Sequence, residues 1–315
     1  MKEIGGYFEL DQLVKNEYYK NLISLNSGRN ALLYLLKAKN IKRLHIPYFL
    51  CNSVSDMLKR NNFDFNYYCI DNEFNPIISG NIQKYEYLYI VNYYGQLTDK
   101  KINLLKSSFE RIIIDNTHAF FQKPIKGIDT IYSCRKFFGV PDGAYLATDC
   151  VLDGDLEIDV SKDRMTHILG RFEGKASDYY SDFKENDMCF KNAPLKKMSK
   201  LAKNILGAID YENVIQTRNE NYKYLENNFK KYNKLKLIIP NGPFAYPMYI
   251  EDGMNVKKML LENKVYIPTL WPNVLRNAPK SSVEYDYSTN VLPLPCDQRN
   301  NVEDMKKIVN LLKNY

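Results

Sequence analysis

The sequence predicts an α/β fold in which a mostly parallel β-sheet is covered by helices on both faces. Short apolar runs at residues 44–47, 87–91 and 111–114 alternate with longer stretches of helical pattern. Strands that alternate with helices in this way are typical of crossover units that build parallel sheets. Because such sheets bind ligands beyond the carboxyl ends of their strands, polar residues at those ends are the first place to look for a functional site.

The first half of the chain supplies most of the predicted sheet. Ser27 and Gly28 open a helix that continues through an apolar, leucine-rich face. Besides the three runs above, residues 130–132 form a fourth strand that leads into Ser133, and residues 144–147 form a fifth.

The second half of the chain has a different order of predicted helices and strands. Residues 195–233 have a helical, lysine-rich pattern, and residues 302–312 form an amphipathic final helix. Between them, a helix is predicted at 256–261 and strands are predicted at 235–239, 245–250 and 265–267. We therefore predict a large domain at residues 1–205 and a smaller C-terminal α+β domain at residues 206–315.

Composition excludes several classes of protein. The 315 residues carry 44 Lys and Arg against 37 Asp and Glu, a net charge of +7, yet no arginine-rich arm or zinc-finger spacing indicates nucleic-acid binding. Only three histidines occur, which disfavours a histidine-rich metal site. Six cysteines without a C-x-x-C pair predict reduced thiols in a cytoplasmic protein. No apolar run is long enough to span a bilayer, so no membrane partner is expected.

The most specific chemistry lies around Lys136. This lysine follows the predicted strand at 130–132, and Ser133 and Gly139 stand three residues on either side of it. Asp115 ends the isoleucine run at 112–114. A lysine that forms a Schiff base and an aspartate that pairs with a pyridinium nitrogen are the groups that a protein supplies to pyridoxal 5′-phosphate (PLP). The pair predicts a PLP enzyme in which Lys136 is the catalytic residue.

Other polar residues are candidates for binding the same cofactor. His118, three residues after Asp115, would donate to the phenolate oxygen of the ring, and Asn92, at the end of the strand at 87–91, would share that oxygen. An aromatic residue is expected to stack on the ring, with Tyr48 and Phe49 as candidates.

The phosphate group has its own candidates at the first helix. The backbone N–H groups at Ser27, Gly28 and Arg29 form a helix N-terminus, which is suited to binding phosphate. The hydroxyl of Ser133 would add another hydrogen bond.

Taken in order, these segments resemble the fold-type-I PLP enzymes, and within them the DegT–StrS family of nucleotide-sugar aminotransferases. The resemblance covers most of the chain. Its motifs are the helix start at 25–32, the loop at 46–51, the strand and Gly-Gln pair at 91–96, Asp115 with His118, the lysine and glycines at 136–143, and the terminal segments at 291–295 and 302–304.

The resemblance implies an aspartate-aminotransferase-like fold and a homodimer. It also implies an aminotransferase that takes the amino group of glutamate and passes it to a keto substrate, a keto-sugar for surface glycans, which is nucleotide-linked in the family. Lys136 would act as the general acid and base, and Arg29 or Arg299 would bind the donor carboxylate. A sibling branch that performs dehydration lacks the lysine, so Lys136 favours transamination.

Two alternatives stay open at this point. The same scaffold supports other PLP reactions, such as those of lyases, decarboxylases and acyl transferases. A non-catalytic binding protein with a retained PLP fold is the second. A dinucleotide-binding Rossmann protein is disfavoured because no G-x-G-x-x-G follows a strand.

Overall fold

The computed structural model describes residues 6–315, so the first five residues of the predicted large domain lie outside the described part of the chain. Its strands are β1 (Ile23–Leu25), β2 (Arg43–Pro47), β3 (Asp64–Ile70), β4 (Pro76–Ile77), β5 (Glu86–Val91), β6 (Ile112–Asp115), β7 (Asp129–Ser133), β8 (Ala144–Ala147), β9 (Tyr246–Tyr249) and β10 (Val291–Leu294). Its helices are α1 (Gly28–Ala38), α2 (Asn52–Arg60), α3 (Asp99–Phe109), α4 (Thr166–Glu173), α5 (Tyr180–Cys189), α6 (Lys200–Leu206), α7 (Tyr211–Phe229), α8 (Gly253–Glu262), α9 (Val274–Asn277), α10 (Val283–Asn290) and α11 (Val302–Lys313).

Eight strands form one sheet in the order β1-β8-β7-β6-β5-β2-β3-β4. Strands β7, β6, β5, β2 and β3 run parallel to one another, whereas β8 is antiparallel to β7 and β1, and β4 is antiparallel to β3. The prediction of a mostly parallel sheet is confirmed. The five strands predicted in the first half of the chain correspond to β2, β5, β6, β7 and β8.

The central strands are buried along their whole length. All four residues of β6 are buried, including its final Asp115. Continuous burial is expected of a parallel strand that is covered on both faces, which explains why the sequence of β6 reads as an uninterrupted isoleucine run. Helix α1 packs against β7 and β8, and α3 packs against β6.

The C-terminal part has a small core of its own. Strands β9 and β10 pair antiparallel, and α7, α8 and α11 contribute buried residues such as Tyr222, Leu260 and Ile308 to the same cluster. Helix α11 begins with a capping box formed by Asn301 and Asp304, and it confirms the predicted final helix. The proposed domain boundary at 205/206 falls in the last turn of α6 and stays a prediction.

Two predicted strands do not form. Residues 235–239 have no partner strand among residues 6–315, because the backbone of Ile238 is hydrogen-bonded instead to the side-chain amide of Gln96, at 2.8 and 3.2 Å. Residues 265–267 also form no strand; Val265 hydrogen-bonds to Leu260 at the end of α8, and its side chain is buried without a ladder. The helical region at 195–233 is interrupted between α6 and α7.

Within residues 6–315, no helix combines the length and the apolar character that crossing a bilayer requires.

Candidate active site

Three of the polar residues selected from the sequence follow neighbouring strands at one edge of the sheet. Asp115 ends β6, Ser133 ends β7, and Asn92 follows β5. The parallel register pairs Asp115 with Val91 of β5 on one side and with Ile131 of β7 on the other. The carboxyl edge of the sheet therefore holds the site, as the pattern of strands predicts.

Lys136 points at His118, with 3.3 Å between Nζ of the lysine and Nε2 of the histidine. The side chain of Lys136 retains access to solvent. Even so, the protein that surrounds its ammonium group lowers the pKa of Lys136, and the negative charges of nearby groups such as Asp115 and Asp187 oppose that shift. A lowered pKa increases the fraction of free amine, which is the form that attacks a carbonyl carbon.

His118 is a buried, neutral histidine. Its ring lies flat on Phe244, with 4.2 Å between centroids and 7° between planes, and Trp271 lies 5.9 Å from it. Burial lowers the pKa of His118 well below its usual value, and the charge of Lys136 lowers it further. Its Nδ1 atom has no hydrogen-bond partner among residues 6–315.

Asp115 is a buried carboxylate without a cationic side chain within ion-pair distance in the described part of the chain. It accepts hydrogen bonds from the Tyr89 hydroxyl at 2.6 Å and from the Thr117 N–H at 2.9 Å. Burial raises the pKa of Asp115, and these two hydrogen bonds oppose the rise. A buried carboxylate that lacks a positive partner is costly, and a protonated pyridine nitrogen would supply one.

The start of α1 offers a cradle for a phosphate group. Ser27 caps the helix by accepting from the Asn30 N–H at 3.2 Å, and the N–H groups of Gly28 and Arg29 have no partner among the residues described. A Cβ on Gly28 would lie 3.9 Å from Cβ of Ser133, so the helix start and this hydroxyl border the same space. The first turn of α1 contains no acidic residue. Free N–H groups at a helix N-terminus suit phosphate.

Together, these features fit PLP. The chain supplies an accessible amine at Lys136, a buried carboxylate at Asp115 and a helix N-terminus at Gly28. Nδ1 of His118 is buried and has no hydrogen-bond partner among residues 6–315, so a bound ligand could supply that partner.

Asn92 lies at the strand end where it was predicted, but its side chain has other hydrogen-bond partners than a cofactor oxygen. Its side chain is fully buried, its amide group donates to Asn116 and Gln122, and its oxygen accepts from the Leu97 N–H at 2.8 Å. All of its polar atoms therefore hold the loop after β5. We do not retain Asn92 as a cofactor ligand.

The aromatic candidates are also revised. Phe49 is completely buried in the core, and Tyr48 stacks on Tyr67 with 4.6 Å between centroids. The rings that lie nearest His118 are instead those of Phe244, Tyr94 and Trp271, which were not among the predicted stacking candidates. Phe244 and Trp271 are more than 120 residues away from His118 along the chain. Phe244 is one of 15 Phe, and although Trp271 is the single Trp, no local motif links either residue to His118.

Arg299 and Arg29 differ in their availability for a ligand. Arg299 donates two hydrogen bonds to Asp297, at 2.7 and 2.8 Å, through Nε and Nη2, so the face of its guanidinium that binds a carboxylate with two bonds is already paired. Arg29 donates to the carbonyl oxygen of Phe190 at 3.1 Å and lies at the start of α1, beside the phosphate cradle.

Comparisons with known proteins place the fold. No family model and no curated protein matches the chain. Among solved structures, the sugar aminotransferase CalS13 from Micromonospora echinospora is 12% identical over 93% of this chain and 87% of its own, with a TM-score of 0.62. A DegT DnrJ EryC1 StrS aminotransferase from Brucella abortus is 14% identical over 93% and 85%, with a TM-score of 0.62. The PLP form of the putative sugar aminotransferase Spr1654 from Streptococcus pneumoniae is 14% identical over 93% and 86%, with a TM-score of 0.61.

These similarities define the class to which the architecture belongs. The chain has the fold of the fold-type-I PLP enzymes, in the version found in DegT–StrS sugar aminotransferases. The fold expected from the resemblance is confirmed.

Proposed function

We propose that the protein is a PLP-dependent aminotransferase that takes an amino group from glutamate and transfers it to a keto substrate, a keto-sugar for surface glycan synthesis. The observation that carries the proposal is the position of Lys136 Nζ, 3.3 Å from the buried His118, at the same sheet edge as the buried Asp115. The fold shared with sugar aminotransferases supports the same reaction class and favours a sugar as the acceptor.

Each of these side chains has a distinct task. When bound, PLP supplies an electron sink for the carbanion that transamination requires. Asp115 would keep the ring nitrogen positive, since the ion pair would offset the cost of burying its carboxylate. Lys136 would hold the cofactor covalently and, once released, its Nζ would take the proton from Cα of the donor. His118 would orient that amine through Nε2, and Nδ1 is available for a further hydrogen bond.

The phosphate group would lie at the start of α1. The N–H groups of Gly28 and Arg29 would donate to it, together with the hydroxyls of Ser27 and Ser133. The Arg29 guanidinium would contribute charge. The positive end of the α1 dipole favours the same anion.

We also propose that the protein is a cytoplasmic homodimer. All six cysteines are free, in keeping with a reducing compartment. Large apolar side chains are almost fully exposed on the segment before β1 (Tyr7 at 98% and Phe8 at 101%) and on α4 (Phe172 at 89%). We propose that a second subunit covers these side chains, since a large exposed apolar patch marks an interaction surface. Sedimentation analysis tests the dimer, and a monomer at working concentration would contradict it.

The reaction type is tested by adding glutamate to PLP-loaded protein without an acceptor. An aminotransferase converts its cofactor to pyridoxamine 5′-phosphate and releases 2-oxoglutarate in equal amount. Loss of carbon dioxide, or elimination from the amino acid, would instead indicate one of the other PLP reactions. If the protein retains no PLP at all, the alternative of a non-catalytic binding protein would be favoured instead.

A further inference from the structure

Three arginines gather around one phenylalanine at the end of α5. Phe190 is 1% exposed, and the guanidinium carbons of Arg135 and Arg164 lie 4.5 and 5.0 Å from the centroid of its ring. Arg29 donates to the carbonyl oxygen of the same residue. This arginine cluster (Arg29, Arg135 and Arg164) lies beside the proposed phosphate cradle and includes the residue that directly precedes Lys136.

The carboxylates that neutralise the arginine cluster are distributed unequally. Arg164 lies 3.4 Å from Asp142 and 2.9 Å from Asp159. Arg135 has a single carboxylate partner among the residues described, Asp187 of α5, at 3.2 Å and through one nitrogen. The side chain of Arg135 is only 17% exposed, whereas that of Asp187 is 56% exposed. A mostly buried cation is thus paired with one accessible carboxylate in a single-bond geometry.

We propose that Arg135 is the residue that binds a carboxylate of the amino-acid donor, and that Asp187 occupies Arg135 until the donor displaces it. The inference rests on the proposed function and deepens it, because it assigns the recognition of the donor to this chain's own residues. It replaces Arg29 and Arg299, the candidates that the sequence offered: Arg299 is held by two bonds to Asp297, and Arg29 lies at the phosphate cradle.

The local geometry suits this role. Arg135 directly precedes Lys136, and its guanidinium lies on Phe190, whose carbonyl oxygen accepts from Arg29 at the start of α1. The ring of Phe190 under the guanidinium restricts its plane, and a fixed planar fork binds a carboxylate with two parallel hydrogen bonds. Asp187 uses one of those donors. The charges of Arg135 and Asp187 both affect the pKa of Lys136, in opposite directions, so both groups lie within electrostatic range of the amine.

Displacement of Asp187 is feasible on the same grounds. Asp187 is 56% exposed and is joined to Arg135 by one hydrogen bond, so water can solvate its carboxylate when the pair separates. Arg135 is mostly buried, so it would need the donor carboxylate in place of Asp187. A donor carboxylate that engages the fork with two bonds would compete effectively. Asp187 would then discriminate against ligands that lack a carboxylate, because it would remain on Arg135 in their presence.

The test measures the binding of maleate, which carries two carboxylates and no amino group, to PLP-loaded protein by calorimetry. Arg135→Gln is expected to weaken maleate binding by about tenfold or more, since a charge-assisted pair is lost. Arg135→Lys keeps the positive charge but loses the planar guanidinium. Its affinity for maleate is expected to lie between those of the parent protein and Arg135→Gln. Asp187→Asn is expected to tighten binding by about threefold. Arg171→Gln on α4, which removes the same charge from the surface, is the matched control and is expected to bind maleate normally.

Two further readouts separate this inference from the proposed function. The amount of PLP bound per chain, and its attachment to Lys136 after borohydride reduction, are expected to be the same in all variants. The KM for glutamate is expected to follow the affinity for maleate. Unchanged maleate binding in Arg135→Gln, with PLP still attached to Lys136, would overturn the inference alone.

Other outcomes are also decisive. If Arg135→Gln fails to fold, the maleate affinities of Arg135→Lys and Asp187→Asn test the inference in its place. The inference is wrong if neither affinity differs from that of the parent protein. If no variant or parent protein retains PLP, the proposed function fails, and maleate titration of the protein as it stands still shows whether Arg135 and Asp187 bind and gate a carboxylate.

Discussion

At the scale of single residues, the candidate site depends on side chains whose usual partners are missing. Asp115 is buried without a cation in ion-pair range in the described part of the chain, and His118 has an unpartnered nitrogen. Lys136 has a lowered pKa in the same space. Perturbed ionisable groups that converge in this way are characteristic of functional sites, because a purely structural role would leave them with partners.

Asp115→Asn tests the assignment of the ring nitrogen. The substitution removes the negative charge that would hold a pyridinium, so we expect the affinity for PLP to fall by about tenfold or more. Absorbance titration with PLP measures it. Asp163→Asn, a change at an exposed carboxylate that pairs with the adjacent Lys162, is the control. Equal PLP affinity in the Asp115 variant and the control would refute the role.

Arg218 is a second residue whose substitution is informative. It is 1% exposed, and burial lowers its pKa to about 10. Its guanidinium donates to the carbonyls of Pro243 and Phe137 and to Gln298, at 2.7, 3.3 and 2.7 Å. It therefore ties the loop after Lys136 to the segment that presents Phe244.

Arg218→Met is expected to reduce the free energy of unfolding by about 3 kcal/mol, because buried carbonyl groups lose their donors. It should also loosen the packing of Phe244 on His118. Urea unfolding measures the first effect, and Arg276→Gln, at an exposed arginine, is the control. A loss of stability no larger than that of the control would contradict this account.

At the scale of elements, the start of α1 makes the sharpest prediction. A Cβ at Gly28 meets no atom closer than 3.7 Å, so Gly28→Ala is sterically tolerated. We expect stability to stay the same or rise by about 0.5 kcal/mol, since alanine restricts the unfolded chain. The added methyl would narrow the space between Gly28 and Ser133, which we assign to the phosphate, so the affinity for PLP should fall by about tenfold.

Pyridoxal, which lacks the phosphate group, is the control ligand for Gly28→Ala. Its affinity is expected to be unchanged by the substitution. If PLP and pyridoxal lose affinity equally, or if neither does, the cradle is not where the phosphate binds.

Elements with strong local patterns were predictable from the sequence, and those fixed by distant contacts were not. The isoleucine run of β6 predicts a buried strand by itself, and Ser27 before a leucine-rich stretch predicts the start of α1. Residues 235–239 have the apolar content of a strand, but the side chain of Gln96, distant in sequence, takes their backbone hydrogen bonds.

The candidate site divides in the same way. Lys136, Asp115 and His118 lie within one segment of 22 residues, so their spacing was readable. Phe244 and the carboxylate of Asp187 reach the site only through the folded chain. For the same reason, the sequence does not reveal that the side chain of Asn92 is hydrogen-bonded to Asn116, Gln122 and Leu97.

At the scale of the whole molecule, Asp142 links stability to pH. It is fully buried between the lysine loop and α6, where burial raises its pKa to about 6, while the Ser199 hydroxyl and Arg164 oppose the rise. A carboxyl group whose pKa is raised in the folded state stabilises the fold at pH values below its unfolded pKa, and this contribution is lost as the pH rises through about 6.

Asp142→Asn removes this contribution. As the pH rises from about 4 to about 7, the unfolding free energy of the parent protein should fall, whereas that of the variant should not follow it. We therefore expect the difference between the two proteins to shift by about 2 kcal/mol in favour of the variant across that range. Urea unfolding of both proteins at the two pH values measures the difference. A constant difference across that range would show that Asp142 does not titrate there.

The central claim is that the fold positions Lys136 to hold PLP. The most direct measurement is the visible absorption spectrum of the purified protein with PLP, followed by borohydride reduction and mass spectrometry of the labelled peptide. We predict an absorption band that reduction fixes onto Lys136, and no fixed label in Lys136→Ala. A protein that stays colourless with added PLP, or a label on another lysine, would contradict the account.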